Sequence, residues 1–408
     1  MLPEGWRETQ LGDLLSQPPR NGYSPVEADE ETGLGVLSLS ALTGSGLDLR
    51  QIKRAPDVPQ VRAALLREGD LLVSRANTPD KVGRAALFNS DREDLSYPDL
   101  MMRARVDVDK ADNRFLAYLL QSTPVLRRLQ ARAAGTSSTM VKLTKGAVET
   151  LKVGVPNRHL QARIAEVIST WDQAIETVDK LIDNARARKK ALMQQLLTGK
   201  RRLPGFEGAW EEVEIGDVLK EVRRDVDWDD DDDYRLLSVR RRSGGAFLRE
   251  VLPGHQILTK KMREAKAGDF LISKMQVLHG ATAMVPVALD GCHISGSYIA
   301  LIPRDPASFE MRFFDWLART KRFYHMTYLC SYGVHIEKMT FSLSLFMKEH
   351  ILIPPTSEEA RAIADVLDAS EAEIGGLEEQ KALLSEEKRA LMQQLLTGKR
   401  RVKVQEAA

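Results

Sequence analysis

Ala191-Leu-Met-Gln-Gln-Leu-Leu-Thr-Gly-Lys-Arg-Arg202 reappears without a change as Ala390 to Arg401. An identity of twelve residues at an offset of 199 is not accidental, so the 408-residue chain is two copies of one plan. Weaker matches recur at the same offset: Ile164-Ala165-Glu166-Val167 with Ile363-Ala364-Asp365-Val366, Pro156 with Pro355, and Gly69-Asp70-Leu71-Leu72-Val73-Ser74-Arg75 with Gly268-Asp269-Phe270-Leu271-Ile272-Ser273-Lys274. Near the start of each copy, Trp6 with Leu11-Gly12-Asp13-Leu14-Leu15 matches Trp210 with Ile215-Gly216-Asp217-Val218-Leu219, the offset having grown to 204. The segments between these anchors have diverged. A shared scaffold with two different variable segments suits two similar modules that read two different targets.

The closing region of each copy carries the clearest periodicity. Ile164, Ile168, Trp171, Ile175, Val178, Ile182, Ala185, Lys189, Leu192 and Leu196 alternate spacings of four and three, a heptad seam. The second copy gives Ile363, Leu367, Ser370, Ile374, Leu377, Lys381, Leu384, Lys388, Leu391 and Leu395, the same seam with three polar interruptions. Both segments read as long coiled-coil helices. Each starts after proline (Pro156; Pro354 and Pro355) and stops at Thr-Gly-Lys, with Gly199 and Gly398 suited to follow a helix end and the basic residues suited to its C-terminal dipole. The competing reading is an amphipathic helix lying on a globular core. From Ile164 to Gly199 is 36 residues, roughly 54 Å of helix at 1.5 Å per residue, longer than one turn of duplex DNA at about 34–36 Å.

The sequence predicts a mixed α/β fold with two globular domains separated by two long antiparallel helices in a pseudo-twofold repeat: domain one over 1–156, helix one over 157–200, domain two over 201–355, helix two over 356–401, and a disordered tail over 402–408. Only about ten residues separate Gly199 from Trp210, so the second module attaches at the far end of helix one. Apolar runs at 69–74, 85–88, 151–155, 270–273, 298–302 and 351–353 read as strands, and 115–132 and 309–328 as helices.

Composition allows many classes. Hydrophobic residues make up 43% and the formal net charge is +1. No apolar stretch approaches the roughly 18 residues that span a bilayer, and no basic-then-apolar leader follows Met1, so no membrane association and a cytoplasmic protein are expected. Cys292 and Cys330 suggest buried thiols rather than a disulfide framework, and with His279 and His293 they lack metal-ligand spacing, so no metal is expected.

Polar residues gather where strands end. In copy one these are Ser74, Arg75, Asn77, Thr78, Lys81 and Arg84, and before the final strand Gly135, Thr136, Ser137, Ser138, Thr139 and Lys142. In copy two they are Ser273, Lys274, Gln276 and His279, and then Ser331, Tyr332, Gly333, His335 and Lys338. Arg, Asn, Gln, Ser and Thr can contact base edges, and Lys neutralises phosphate; ordinary solvated turns have the same composition. Arg240-Arg241-Arg242-Ser243-Gly244-Gly245 is denser and fits phosphate. Asp227 and Asp229 to Asp233 would repel DNA and read as a solvated loop or a contact for a basic partner.

The order Trp-x4-Leu-Gly-Asp, Gly-Asp-Leu-Leu-Val, Pro, Ile-Ala, then a helix closing on Leu-Met-Gln-Gln-Leu-Leu-Thr-Gly-Lys-Arg-Arg, twice over, closely resembles the specificity subunit of type I restriction-modification systems. The link Leu203-Pro204-Gly205-Phe206-Glu207-Gly208 is also typical of it. The usual Glu-Gln before each helix is blurred, as Leu160-Gln161 in one copy and Glu359-Ala360 in the other. The resemblance implies a non-catalytic subunit with two target recognition domains, each reading half of a bipartite double-stranded DNA site through the major groove. It also implies that the paired helices set the spacer and dock two methyltransferase subunits, which modify adenine with S-adenosylmethionine, and that restriction subunits using ATP and Mg2+ join them. No cofactor is expected in this chain. It has no Asn-Pro-Pro-Tyr or Asp-Pro-Pro-Tyr, no Phe-x-Gly-x-Gly and no Gly-x4-Gly-Lys-Ser/Thr, and Pro98-Asp99 and Pro79-Asp80-Lys81 lack the Glu-x-Lys of a nuclease. The alternative is a coiled-coil scaffold or a stand-alone dimeric DNA-binding regulator.

Overall fold

In the computed structural model, which describes residues 2–44, 46–137, 140–333 and 339–402, both closing regions are single helices of 39 residues, Arg158–Leu196 and Ser357–Leu395. The chain divides into two units, and the division cuts both helices near their midpoints. Unit one is Met1–Asp179 with Glu379–Ala408, and unit two is Lys180–Glu378. Each unit therefore holds one variable module, the N-terminal half of one long helix and the C-terminal half of the other. Residues 403–408 of the expected tail lie outside the described residues. Among the described residues no helix is long and apolar enough to cross a membrane.

Each unit is built on a four-stranded antiparallel sheet. In unit one the order is Leu15–Asn21, Met101–Val106, Leu71–Ser74, Ala85–Leu87; in unit two it is Leu219–Val222, Tyr298–Pro303, Phe270–Ser273, Thr282–Met284. Leu71–Ser74 and Phe270–Ser273 are apolar up to their closing serine because both of their faces are covered. Leu71 and Val73 enter the main core with Phe115 and Leu116, while Leu72 faces a second core with Phe88 and Tyr97. Phe270 and Ile272 likewise join Phe314 and Phe323, and Leu271 joins Ala283 and Ile294. The repeated Gly-Asp before these strands is structural. Asp70 and Asp269 are each 2% exposed; Asp70 accepts from the Arg67 amide and from Arg105 Nε, and Asp269 from the Lys266 amide and from Arg224.

The helical stretches expected over 115–132 and 309–328 are each broken in two, as Asn113–Gln121 and Thr123–Gln130, and as Met311–Ala318 and Lys321–Leu329. Pro124 in the first turn of Thr123–Gln130 has no N–H to continue a preceding helix. Thr320 caps Lys321–Leu329 by accepting from the Phe323 amide.

None of the seam positions is exposed. Their packing combines both sequence readings: the helix starts lie on a module core, and the middles meet the other helix. In unit one Ile164 and Ile168 join the module core, together with Leu395 and Leu396 from the end of the second helix. In unit two Ile363 and Leu367 join Phe313, Trp316, Leu196 and Leu197. The repeated word thus closes each unit against a module that it does not follow in sequence. Within both words the helix is followed by a left-handed residue, Gly199 and Gly398, each with φ +67°, which only glycine adopts without cost. Trp210 packs on Gly199, and Pro3 and Trp6 on Gly398.

Between the helix middles the partner numbers fall as the first helix rises, so the segments run antiparallel. Asp172 meets Lys388 and Asp179 meets Lys381, both at 2.5 Å, in unit one; Arg186 meets Glu378 and Lys189 meets Glu371 in unit two. The polar seam residues Lys189, Lys381 and Lys388 are therefore answered by acids of the opposite helix. Asp172–Lys388 and Glu371–Lys189 are the same pair under the 199-residue offset. Each lysine also sits over a module aromatic, Lys388 over Tyr118 at 5.4 Å and Lys189 over Trp316 at 5.9 Å. Tyr118 donates to Asp172 at 2.6 Å; burial first, and this bond second, push its phenol far above the ordinary range.

The blurred Glu-Gln has a counterpart in structure. Glu359 is fully buried and takes a two-pronged bond from Arg202, whereas its equivalent is Leu160, and the matching Arg401 pairs with exposed Glu4. Gln161, 1% exposed, instead accepts from the Asp112 amide and donates to Pro156 O.

Asp172→Ala should leave the enclosed Lys388 ammonium without its acid and cost about 2–3 kcal/mol in urea unfolding, less than the 3–5 of a fully enclosed pair because Asp172 is more than a third exposed. Lys388→Met keeps the stem over Tyr118 and should cost under ~1 kcal/mol. Equal losses from the two changes would contradict this account.

Candidate nucleic-acid interface

In unit one the two polar segments separated in sequence form one small sheet, in the order Ala134–Ser137, Met140–Lys142, Ala76–Asn77. Asn77 pairs with Val141 and Ala76 with Lys142, and the Leu143 amide donates to Arg75 O at 2.8 Å. Lys81 and Lys142 are exposed; Arg75, Asn77, Thr78 and Arg84 are half-buried. Arg75 is held by a bond from Nη1 to Asp99 O, and Asn77 donates to Ser74 Oγ and accepts from the Thr78 amide. Thr136 and Ser137 lie on the first of these strands, while Ser138 and Thr139 lie outside the described residues.

Ser74 and Ser273 differ from the other candidates in their burial. Both are the last residues of central strands and are buried, 0% and 5% exposed. Ser74 accepts from the Asn77 side-chain amide through Oγ.

In unit two Arg240 to Gly245 form the turn between the paired strands Asp233–Val239 and Ala246–Pro253. Arg240, Arg241 and Arg242 are exposed, and among the described residues no carboxylate pairs with them. The Arg240 guanidinium lies over the Phe247 ring at 4.0 Å. Among the described residues, Arg242 and Ser243 are the non-glycine residues with left-handed backbone, φ 58° and 53°, a conformation costing of the order of 1–2 kcal/mol per residue. Backbone bonds hold it: the Arg242 amide donates to His279 O at 2.6 Å and the Ser243 amide to Gly280 O at 2.8 Å.

The same turn touches a third element. The Ser243 hydroxyl hydrogen-bonds Tyr324 Oη on Lys321–Leu329, and Gly280, φ +70°, is overlain by that phenol so closely that a Cβ would lie 2.4 Å from Oη. Two polar segments expected separately, the arginine turn and the Gln276–His279 loop, therefore meet at the helix Lys321–Leu329. Gln276 and His279 are half-buried, and Gln276 Oε1 is enclosed without a partner. Lys274 is engaged through Nζ with Gly296 O. Ser331 is half-buried and donates to Thr327 O; Tyr332 is exposed, on a short strand paired with Thr340–Phe341. His335 and Lys338 lie outside the described residues.

Tyr324 was not expected from the sequence. It lies beside the stripe of Phe323, Met326 and Thr327 that the helix buries, and only the fold brings it to Ser243, 81 positions away. The acidic run is partly structured. Asp233 opens a strand, Trp228 stacks on Tyr234 at 4.2 Å, and Asp230 is paired with Lys260, a pairing that with the Trp228 indole holds its carboxyl below the usual range. Cys292 and Cys330 are free and buried, and burial raises both thiols, Cys330 to about 11. Among the described residues no cluster of metal-ligating side chains is present.

No protein-family model matches the chain. A putative type I restriction enzyme MjaX specificity subunit of Methanocaldococcus jannaschii is 24% identical over 421 aligned positions, covering 98% of this chain and 95% of that protein. The type I restriction enzyme EcoEI specificity subunit of Escherichia coli is 24% identical over 201, covering 48% of this chain and 32% of that one. Among solved structures, the type I restriction-modification S subunit from M. genitalium superposes with a TM-score of 0.59 at 14% identity, covering 96% of each chain. A chain from a structure on complex assembly and conformational transition of the type I R-M system gives 0.55 at 20%, covering 97% of this chain and 98% of that one. Relatives described as type I restriction enzyme specificity subunits thus resemble the chain, one of them from end to end, and solved S-subunit structures share its fold.

Proposed function

We propose that the chain is the DNA-recognition subunit of a type I restriction-modification assembly and has no catalytic role of its own. Each module reads one half of a bipartite double-stranded site through the major groove. The paired helices fix the spacer and dock two methyltransferase subunits. S-adenosylmethionine, ATP and Mg2+ serve those partners and the restriction subunits that join them, not this chain. The observation that carries the reading is the convergence, inside each module, of polar segments far apart in sequence: Arg75–Arg84 with Met140–Lys142 in one, and Arg240–Gly245 with Gln276–Gly280 in the other. A turn that merely connects strands has no need of a distant polar partner.

The candidate contacts are Arg75, Asn77, Thr78, Lys81, Arg84 and Lys142 in module one, and Arg240, Arg241, Arg242, Lys274, Gln276, His279 and Tyr332 in module two. The test is to express the chain with a type I methyltransferase subunit from its own source and map methylated adenines across the host genome by single-molecule sequencing. A motif of two short half-sites separated by a fixed unread spacer is the expected outcome. A single contiguous motif, or no new methylation with both proteins present, would sink the proposal. A stand-alone dimeric regulator would instead bind DNA tightly without any partner.

A further inference from the structure

We propose that the arginine turn of module two is a phosphate clamp locked to the neighbouring Gln276–Gly280 loop through Ser243 and Tyr324, and that Tyr324 is a positioning residue for DNA binding which itself touches no DNA. The proposal rests on the DNA-recognition reading.

Three consecutive exposed guanidinium groups, without acid partners among the described residues, form a site for a phosphate backbone, since each can make forked, charge-assisted bonds to phosphate oxygens. A flexible loop would lose much of that binding to ordering, and here the ordering is already done. Arg240 is laid over Phe247. The left-handed pair Arg242–Ser243 persists only while surrounding contacts over-determine it. Those contacts are the two amide bonds to His279 O and Gly280 O and the hydroxyl pair Ser243–Tyr324. The phenol is the keystone, because it lies on both Ser243 and Gly280 and so joins turn, loop and helix at one point.

Among the described residues module one has no such lock. Gly83, which follows the matching strand and is also left-handed, packs on Leu126 and Leu129 of the corresponding helix, an apolar contact with no hydroxyl pair. The clamp is therefore a property of the second module.

The test uses the full-length chain together with a type I methyltransferase subunit and a mixed-sequence duplex of about 40 base pairs, with affinity followed by anisotropy as salt is varied. Each phosphate contact contributes about 0.9 to the slope of log K against log salt. Arg241→Ala with Arg242→Ala should flatten the slope by roughly 1.8. Tyr324→Phe removes no charge, yet should flatten it in the same direction and add nothing further in the double-arginine background. Ser243→Gly keeps the left-handed backbone, removes the other half of the same bond, and should behave like Tyr324→Phe, with thermal unfolding near that of the unaltered chain in both. An unchanged slope in Tyr324→Phe and Ser243→Gly, with the arginine pair still effective, overturns the lock. An unchanged slope in the arginine pair overturns the clamp and leaves the DNA-recognition reading standing. Absence of any salt-dependent DNA binding by the unaltered chain in the presence of the methyltransferase subunit overturns both.

Discussion

Leu395→Asp should unfold unit one while leaving unit two intact, and Leu196→Asp should do the reverse. Leu395 is 2% exposed in the core that holds Phe115, Ile164 and Ile168, and Leu196 is 1% exposed beside Phe313, Trp316 and Ile363. Truncating such a leucine costs about 2–5 kcal/mol through lost burial and the cavity left behind. An aspartate adds the cost of a carboxyl with no partner, which either stays charged in apolar surroundings or shifts its pKa to stay neutral. Together these come to more than ~5 kcal/mol, comparable to the roughly 5–15 kcal/mol that holds a domain together. The same change at Leu192 or Leu391, both half-buried, should be milder. Peptide-resolved hydrogen exchange reads the result directly. In Leu395→Asp, protection should collapse in Leu71–Ser74 and Met101–Val106 and persist in Phe270–Ser273; in Leu196→Asp the pattern should invert. Retained protection in Leu71–Ser74 would show that the repeated word is not the latch of the first unit.

The features legible in the sequence were those that depend on local pattern. The seam could be read because heptad spacing reports one helix face whatever that face packs on. The six apolar runs became strands because short, continuous apolar segments bounded by turn residues have few other uses. Failures came where a distant residue decides the outcome. The paired strands Asp233–Val239 and Ala246–Pro253 were hidden because an acidic run heads the first and an arginine run fills the turn. The splits at Ser122 and Thr320 passed unseen because the apolar spacing continues across them while a proline and a cap end the helix. The site shows the same division. The polar segments were visible as composition, but Asn77 beside Val141 and Ser243 beside Tyr324 are matters of long-range register, which a single sequence does not display. The burial of Ser74 and Ser273 was hidden for the same reason: a serine closing a strand looks alike whether it faces solvent or the core.

A paired insertion of seven residues, one heptad after Asp179 and one after Glu378, should lengthen the spacer of the recognised site by about two to four base pairs without altering either half-site. The described interhelical pairs fall inside the units: Asp172 and Asp179 find Lys388 and Lys381 in the first, and Arg186 and Lys189 find Glu378 and Glu371 in the second. Inserting at both boundaries moves none of these residues relative to its partner, and a full heptad keeps the apolar seam in register. The added helix is about 10.5 Å at 1.5 Å per residue, close to three base pairs at 3.4 Å each. Inserting the heptad after Asp179 alone is a different perturbation. It lengthens one helix against an unchanged partner, so at least one set of ion pairs and one latch must break, and methylation of the motif should be lost. Mapped methylation again provides the readout, now compared between the two insertions. If the paired insertion leaves the spacer unchanged, the helices do not measure the distance between half-sites; if the single insertion preserves the original motif, the antiparallel pairing does not constrain it.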